Sequence, residues 1–211
     1  MRSKAKEILF VSGTDTDCGK TYCTVNLLNS LRAQGKSVLG LKPIASGCTQ
    51  TTGGLRNDDA LLLQEASSFT LPYEHINPFA FREPIAPHIA AANGDQHITV
   101  QGVIDALQPA LQTSCDTILI EGAGGLMAPL NQTECIIDLI DALHVPLIFI
   151  IGLKLGCLNQ SLLSFHMLNY YQIEVKQVII NPIDPNMSHA TQNIEYLNDA
   201  IKQLSTTRIP V

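Results

Sequence analysis

The sequence predicts an α/β fold with a doubly wound, mainly parallel sheet flanked by helices. Three observations lead to this prediction. Short runs of Ile, Leu and Val recur without polar alternation, which is typical of strands buried on both faces. Segments with helical apolar spacing separate these runs. A glycine-rich segment follows the first run, at the strand end where open parallel sheets bind ligands.

Five buried strands are predicted, each bounded by Gly, Pro, Asn or charged residues. They are residues 8–12, 38–41, 117–120, 147–151 and 178–180. A first helix is expected from Thr21 onward, and two amphipathic helices have apolar residues at steps of three and four. Their apolar residues are Val100, Val103, Ile104, Leu107 and Leu111 in one, and Ile194, Leu197, Ile201 and Leu204 in the other.

The proline-rich residues 72–87 interrupt this alternation and are too many for an ordinary connection, which indicates a functional loop. With 211 residues, the chain is expected to form one domain, residues 1–211. The five strand ends carry polar or glycine-rich segments, which begin at Gly13, Lys42, Glu121, Gly152 and Asn181. Because the strands are expected to be parallel, these segments should meet at one edge of the sheet.

The composition argues against several classes of partner. The net charge is −6 and no Lys/Arg cluster is present, so neither nucleic acid nor an anionic membrane is expected as a partner. The longest apolar run, residues 145–153, is too short to span a membrane, and no targeting segment precedes the first strand. We therefore expect a cytoplasmic protein. The six cysteines and six histidines are scattered, which favours free thiols over a zinc site or a Cys/His dyad.

The stretch VSGTDTDCGKT resembles a phosphate-binding loop with one additional residue. The usual spacing places four residues between the glycine and Gly-Lys, whereas five lie between Gly13 and Gly19. Gly19, Lys20 and Thr21 still precede the predicted helix. Backbone amides at a helix start, a lysine and a hydroxyl that reaches Mg²⁺ together bind a nucleotide phosphate. The sequence therefore predicts nucleotide binding.

Acidic residues at other strand ends are candidates for a magnesium site. Glu121 ends a buried strand and begins EGAGG. Asp58 and Asp59 follow Asn57 at a predicted helix start, where capping alone would explain one acid. The choice between the two aspartates stays open at this point. Lys42 follows a second strand, and a second lysine beside phosphate suits phosphoryl transfer, although a lysine there also fits a solvated surface.

Six segments together resemble the dethiobiotin synthetase family, in order and over most of the chain. They are GTDTDCGKT, KPIASG, LRNDDALLLQ, NPFAFREPIAPHIAA, EGAGGLMAPL and GLKLGCLN. The resemblance implies a P-loop NTPase fold and an ATP- and Mg²⁺-dependent ring closure. In that reaction 7,8-diaminononanoate takes up CO₂ as a carbamate, ATP phosphorylates the carbamate, and the second amine closes the ureido ring of dethiobiotin. It also implies a homodimer with the substrate at the subunit interface.

The resemblance assigns roles to particular residues. Thr21, Asp59 and Glu121 correspond to metal-linked residues, and Asp59 rather than Asp58 matches the family acid. Lys20, Lys42 and Thr16 correspond to catalytic residues. The nucleotide-binding set adds Asp17, Cys18, Gly19, Tyr22, Gly122, Ala123, Gly124, Asn181 and Pro182. The substrate-binding set contains Lys42, Ser46, Gly156, Cys157, Leu158 and Asn159, the last four at a helix start that receives the substrate carboxylate from the neighbouring subunit.

The chain departs from the family pattern at two places. Asp17 stands where the family loop commonly carries Glu, one methylene longer, and the chain reaches residues 208–211 near where several relatives continue around the nucleotide base. Cys18 lies inside the loop, where oxidation sensitivity and an ordinary buried thiol are both consistent with its position.

Two other classes of protein share parts of this pattern. Cobyrinate amidating enzymes have a similar loop and also phosphorylate a carboxylate, but they need a glutaminase domain, for which no segment after Asn181 is suited. Regulatory ATPases of the partitioning type carry an additional lysine near the start of the loop, where this chain has Asp15, Thr16 and Asp17. Dethiobiotin synthesis is therefore the preferred interpretation.

Overall fold

The computed structural model of the protein describes residues 6–94 and 96–206, and within α8 the side chains of residues 204–206 are not described. The strands are β1 (Glu7–Gly13), β2 (Val38–Leu41), β3 (Ile44–Ala45), β4 (Thr49–Thr51), β5 (Gly54–Arg56), β6 (Phe79–Ala80), β7 (Thr117–Glu121), β8 (Leu147–Leu153) and β9 (Val175–Pro182). The helices are α1 (Lys20–Ala33), α2 (Asp58–Ala66), α3 (Tyr73–Ile76), α4 (Pro87–Asn93), α5 (Val100–Leu111), α6 (Ile136–Leu143), α7 (Cys157–Tyr170) and α8 (Ala190–Thr206).

Five strands form a parallel sheet in the order β2, β7, β1, β8, β9. These are the five strands that the apolar runs predict. The inner strands β7 and β8 are buried along their whole length. At the edge of the sheet, β9 is longer than predicted and half-exposed, with Lys176 and Gln177 open to solvent. A strand with a neighbour on one side only is more easily left partly uncovered.

Helices cover both faces of the sheet, as the sequence predicts. Side chains alternate along β1, so Leu9 and Val11 point to one face and Phe10 to the other. Leu9 and Val11 pack in a core with residues of α1 and α2, such as Leu28 and Leu63. Phe10 belongs to a larger core with residues of α5, α6 and α7. The doubly wound arrangement is confirmed.

The three helices predicted from apolar spacing are present as α1, α5 and α8. The predicted apolar residues of α5 that are fully covered are Val103 and Leu107. On α8, Leu197 is buried, whereas the side chain of Leu204 and the residues 208–211 lie outside the described part of the chain.

The proline-rich residues 72–87 contain α3 and β6. Strand β6 pairs in parallel with β3, which directly follows the end of β2 and Pro43. The segment is thus fixed against the carboxyl end of the sheet.

Two further sequence expectations concern cysteine and membrane association. All six cysteines are free thiols, and five of them are buried. Among the described residues, no helix has the length and hydropathy needed to span a membrane.

Candidate active site

A cavity of about 790 Å³ lies at the carboxyl ends of the sheet strands. The loop after β1, the residues after β2 and β7, the start of α2 and residues 84–87 all contribute to it. The residues that line it are Thr16, Asp17, Gly19, Lys20, Thr21, Tyr22, Lys42, Ile44, Ala45, Ser46, Asn57, Asp59, Pro84, Ile85, Ala86, Pro87, Glu121, Ala123, Gly124, Ala128 and Pro129.

The loop between β1 and α1 presents the helix start to this cavity. Gly19 is the N-cap of α1, and neither a side-chain cap nor an acidic residue in the first turn satisfies the free amides. Such amides form a ready anion site. Gly19 has φ of 87°, and a Cβ at this position would lie 2.0 Å from Asn181 Nδ2, so only glycine fits.

Asp17 also has a left-handed backbone, with φ of 57°. Aspartate tolerates this conformation better than residues with longer side chains, because its short carboxylate can interact with the local backbone. Asp17 therefore occupies a position whose backbone favours a short acid.

Lys20 begins α1 and is almost fully buried, with 7% of its surface exposed. Its ammonium donates to the backbone oxygen of Asp15 at 2.7 Å. Burial lowers the pKa of Lys20, and the positive charge of Lys42 lowers it further, against the opposing effect of nearby acids. The Asp15 carboxylate accepts from the Thr16 amide at 2.8 Å and from Gln160 Nε2 of α7 at 3.0 Å, which fixes the loop to that helix.

The charged centre of the site joins the ends of β2 and β7 with the starts of α1 and α2. Glu121 is fully buried, and its Oε1 accepts from Lys42 Nζ at 2.6 Å and from Thr21 Oγ1 at 2.7 Å. Lys42 Nζ also lies 2.9 Å from Asp59 Oδ2. The parallel register pairs Leu41 with Ile120, so the next residues, Lys42 and Glu121, leave adjacent strands side by side.

The two carboxylates control the protonation of Lys42. Burial alone would lower the pKa of this lysine, but the charges and hydrogen bonds of Glu121 and Asp59 outweigh burial and raise it. The ammonium is therefore held as a cation between the two acids.

The oxygen atoms at this centre match the ligands that Mg²⁺ prefers. Glu121 Oε2 is buried without a hydrogen-bond partner among the described residues, and Thr21 and Asp59 line the same cavity as Glu121. Of the two aspartates that the sequence left open, Asp59 lines the cavity and contacts Lys42, whereas Asp58 is exposed and does not line it. In the described part of the chain, no group of three or more His, Cys, Asp or Glu residues is placed so that it could hold a metal ion.

Twelve of the predicted site residues line the cavity together. They are Thr16, Asp17, Gly19, Lys20, Thr21, Tyr22, Lys42, Ser46, Asp59, Glu121, Ala123 and Gly124. The buried hydroxyl oxygen of Ser46 is another polar atom without a hydrogen-bond partner among the described residues.

Several predicted nucleotide-binding residues lie behind or beside the cavity instead of lining it. Cys18 is fully buried beneath the loop. The amide of Gly122 donates to Val11 O at 2.9 Å and so extends the sheet. Asn181 Nδ2 donates to Cys18 O at 3.0 Å, so this asparagine braces the loop, and Pro182 follows it at the end of β9.

The predicted substrate-carboxylate segment, Gly156, Cys157, Leu158 and Asn159, forms the start of α7 and does not line the cavity of its own chain. Gly156 is the N-cap with φ of 92°, and no side chain caps the helix. The preceding Leu155 is 92% exposed. The position of this segment outside the cavity is consistent with the predicted use by a neighbouring subunit, which stays a prediction.

Sequence reasoning missed some residues that shape the site. Asn57 lines the cavity and caps α2, with its Oδ1 accepting from the Ala60 amide at 3.2 Å. Ala128 and Pro129 close the cavity from the segment after β7. All three residues lie within segments that resemble the family, LRNDDALLLQ and EGAGGLMAPL. None of them bears charge or catalytic chemistry, so nothing else in the sequence marked them as site residues.

Comparisons with known proteins show which proteins this chain resembles. A family model described as an AAA domain matches residues 7–210. The ATP-dependent dethiobiotin synthetase BioD of Aeromonas hydrophila is 41% identical over 201 residues, which cover 95% of this chain and 89% of that protein. The protein of the same name from Chromohalobacter salexigens is 44% identical over 179 residues, covering 85% and 76% of the two chains.

A solved structure shares the fold at low identity. Cobyrinic acid a,c-diamide synthase from Mycobacterium smegmatis, with a bound ATP analog and magnesium, aligns with a TM-score of 0.51 and 16% identity over 98% of this chain and 85% of that chain. This likeness concerns the P-loop fold alone. The sequence relatives, by contrast, match at about 40% identity over nearly the whole chain, and the chain belongs to the family of ATP-dependent dethiobiotin synthetases.

Proposed function

We propose that the protein closes the ureido ring of dethiobiotin from 7,8-diaminononanoate and CO₂, with conversion of ATP to ADP and phosphate. The observation that carries this proposal is the meeting of Lys20, Lys42 and Glu121 in one cavity at the strand ends of a chain from this family. Two cations and a buried carboxylate around a helix start suit phosphoryl transfer, in which catalysis consists largely of positioning and charge stabilisation.

The loop and α1 bind the triphosphate. The free amides of the first turn of α1 donate to phosphate oxygens, and the Lys20 ammonium neutralises their charge. This ammonium donates to the backbone oxygen of Asp15, which holds it at the loop. Because burial lowers its pKa, Lys20 gains from an anionic partner.

Lys42 acts on the carbamate and the transferring phosphoryl group. One substrate amine attacks CO₂ and loses a proton to give a carbamate, and a carbamate oxygen then displaces ADP from the γ-phosphorus of ATP. The second amine attacks the resulting carbamic-phosphoric anhydride, loses a proton, and expels phosphate as the ring closes. The Lys42 ammonium exchanges a carboxylate partner for these oxygens and stabilises the charge that develops on them.

Magnesium would be held by the Thr21 hydroxyl, Asp59 and Glu121. The fit rests on an all-oxygen donor set and on the unpaired, buried Oε2 of Glu121. When bound, the ion supplies charge neutralisation at the nucleotide phosphates. Ser46, whose buried hydroxyl lacks a partner among the described residues, and Thr16 would contact substrate and phosphate oxygens.

Three further features complete the proposal. A homodimer would place Gly156–Asn159 of one subunit against the substrate carboxylate in the other, because free amides at a helix start bind carboxylates. Asn181 and Pro182 would lie near the nucleotide base, next to the loop that Asn181 braces. We also propose that residues 1–211 act as one domain and that the enzyme works in the cytoplasm.

The test is phosphate release with ATP, Mg²⁺, bicarbonate and 7,8-diaminononanoate. We expect release to rise at least tenfold when the diamine is added, with dethiobiotin formed in equal amount. A matched control replaces the diamine by an analogue with a single amine, which can form a carbamate but cannot close the ring. Slow hydrolysis that is the same with and without the diamine would indicate a nucleotide switch and contradict the proposal.

A further inference from the structure

A buried phenol lies behind the charged centre and touches none of the reacting groups. Tyr73, the first residue of α3, is 7% exposed. Its hydroxyl accepts a hydrogen bond from the Asn57 amide at 2.8 Å and donates one to Asn77 Oδ1 at 3.0 Å. The hydroxyl thus acts as both acceptor and donor, and its two partners contact different parts of the cavity wall.

The first partner connects Tyr73 to Asp59. Asn57 is the N-cap of α2, and Asp59 lies in the first turn of this helix. Asn57 Nδ2 also donates to Ser46 O at 3.4 Å. Fixing the Asn57 backbone therefore fixes the direction in which α2 presents Asp59, together with the adjacent backbone of Ser46.

The second partner connects Tyr73 to Lys42. Asn77 is 2% exposed, and its Nδ2 donates to the backbone oxygen of Lys42 at 2.7 Å. The amide of Lys42 donates to Ile76 O at 3.0 Å. The backbone of Lys42 is therefore held on both sides by residues 76 and 77, at the point where β2 ends.

We propose that Tyr73 is a positioning residue that sets the distance between Lys42 and Asp59 through these two hydrogen bonds. The inference deepens the proposed function and rests on it, because that function assigns phosphoryl transfer to the Lys42 centre. A displacement of about 1 Å at a reacting group is enough to reduce a rate by on the order of 100-fold. The segment that the sequence marked as a functional loop would then act by holding the catalytic lysine and the metal-linked acid in register.

The phenol ring can be kept while its hydroxyl is removed. The Arg56 guanidinium lies over the ring of Tyr73, with its carbon 4.1 Å from the ring centroid. Phenylalanine retains this contact and the packing of the ring. The Asn57 amide and Asn77 Oδ1 would lose their common partner, and each would be free to shift toward other groups.

The experiment compares Tyr73→Phe with Tyr171→Phe. Tyr171 donates its hydroxyl to Asp138 Oδ1 at 3.0 Å and does not line the cavity, so its replacement removes a similar hydrogen bond elsewhere. For Tyr73→Phe we expect kcat for diamine-dependent phosphate release to fall about tenfold or more. The Kd for ADP without added magnesium should stay within twofold, because the loop and Lys20 are untouched. Tyr171→Phe should leave both quantities within twofold of the wild type.

Asn77→Ala separates the Lys42 connection from the Asn57 connection. We expect the double variant with Tyr73→Phe to lose less than the product of the single losses in kcat, because both changes break one chain of contacts. A kcat for Tyr73→Phe within twofold of the wild type overturns the inference. Equal losses in kcat and ADP affinity, together with a lower Tm, indicate a purely structural role and also overturn it.

The failure of the proposed function would be recognised separately, as a wild-type protein without diamine-stimulated phosphate release. In that case hydrogen exchange at the Asn57 amide tests whether Tyr73 fixes the start of α2. Exchange at least tenfold faster in Tyr73→Phe, with unchanged exchange in β7, supports the anchoring of α2 by Tyr73. Unchanged exchange at Asn57 overturns it.

Discussion

Replacement of Lys42 by methionine removes the charge between Glu121 and Asp59 and keeps most of the side-chain volume. Glu121 would remain fully buried with one hydrogen bond, from Thr21, to its Oε1. Removing one partner of a buried ion pair typically costs about 3–5 kcal/mol. The Asp59 side chain is 44% exposed, so its share is screened by solvent and adds only about 0–1 kcal/mol. We therefore expect the free energy of unfolding at pH 7 to fall by about 3–6 kcal/mol.

The measurement is urea unfolding of Lys42→Met, Glu121→Gln and the double variant. Removing both charges leaves neither one buried and unpaired, so we expect the double variant to be at least about 2 kcal/mol more stable than the sum of the single losses implies. Lys36→Met serves as the control, because Lys36 lies 3.9 Å from Glu7 in a partly exposed pair at the other end of the sheet. Single losses that add to within about 0.5 kcal/mol would refute the reasoning.

The effect of Lys42→Met on stability should depend on pH. The folded-state pKa of Lys42 is raised above its ordinary value of 10.5. The stabilisation from its charge is therefore fully present below pH 10.5 and is lost as the pH rises through the higher folded-state pKa. The stability difference between wild type and Lys42→Met should therefore shrink as the pH rises through this alkaline range. In activity, Lys42→Met should lower kcat by about 100-fold or more and change ADP affinity by less than about threefold.

Three more predictions concern the loop and its thiols. Gly19→Ala places a Cβ 2.0 Å from Asn181 Nδ2 at φ of 87°, so isothermal titration should show ATP affinity reduced by at least about tenfold, and wild-type affinity would contradict the loop geometry. The pKa of Lys20 is lowered from 10.5, so ATP affinity should decline with rising pH before pH 10.5 is reached. ATP binding in that range should take up a proton, and Lys20→Met should abolish this uptake, whereas an ATP affinity that does not change with pH would exclude this role of Lys20. Burial raises the pKa of the Cys23 thiol from 9.0 to about 11, so alkylation by iodoacetamide at pH 8 should be about 100-fold slower than for a free cysteine, as peptide mapping can measure; rapid labelling would disagree.

The main sheet could be predicted because each of its strands is marked by a short apolar run within its own sequence. Strands β2 and β7 are short apolar runs, and parallel strands end at the same edge, which is enough to expect Lys42 and Glu121 at one edge of the sheet. Their direct adjacency depends on the strand order, which the sequence does not give. The position of the loop before a helix could be predicted from Gly19, Lys20 and Thr21 despite its additional residue. The choice of Asp59 over Asp58 needed either the family pattern or the helix orientation, since both acids fit a helix start equally well.

Other parts of the site could not be predicted, because they depend on contacts between distant residues without periodic spacing. Gln160 reaches Asp15 across 145 positions of the chain. Tyr73 and Asn77 bind backbone groups, which any residue could offer, so their partners carry no sequence signal. Asn181 resembles a base-binding residue, and its amide nitrogen also donates to the backbone oxygen of Cys18 in the loop, a contact that the sequence does not indicate.

The side-by-side exit of Lys42 and Glu121 from two paired strands has a consequence for how this enzyme can vary. Successive side chains of a strand point to opposite faces of the sheet. A slip of one position between β2 and β7 would therefore turn one of these charges toward the opposite hydrophobic core. Chains that pair out of register would then be both inactive and unstable. Selection for catalysis and selection for correct folding therefore act on the same ladder of backbone contacts, and an engineer who wishes to move this centre to another scaffold has to transplant the strand pair together with its two charged ends.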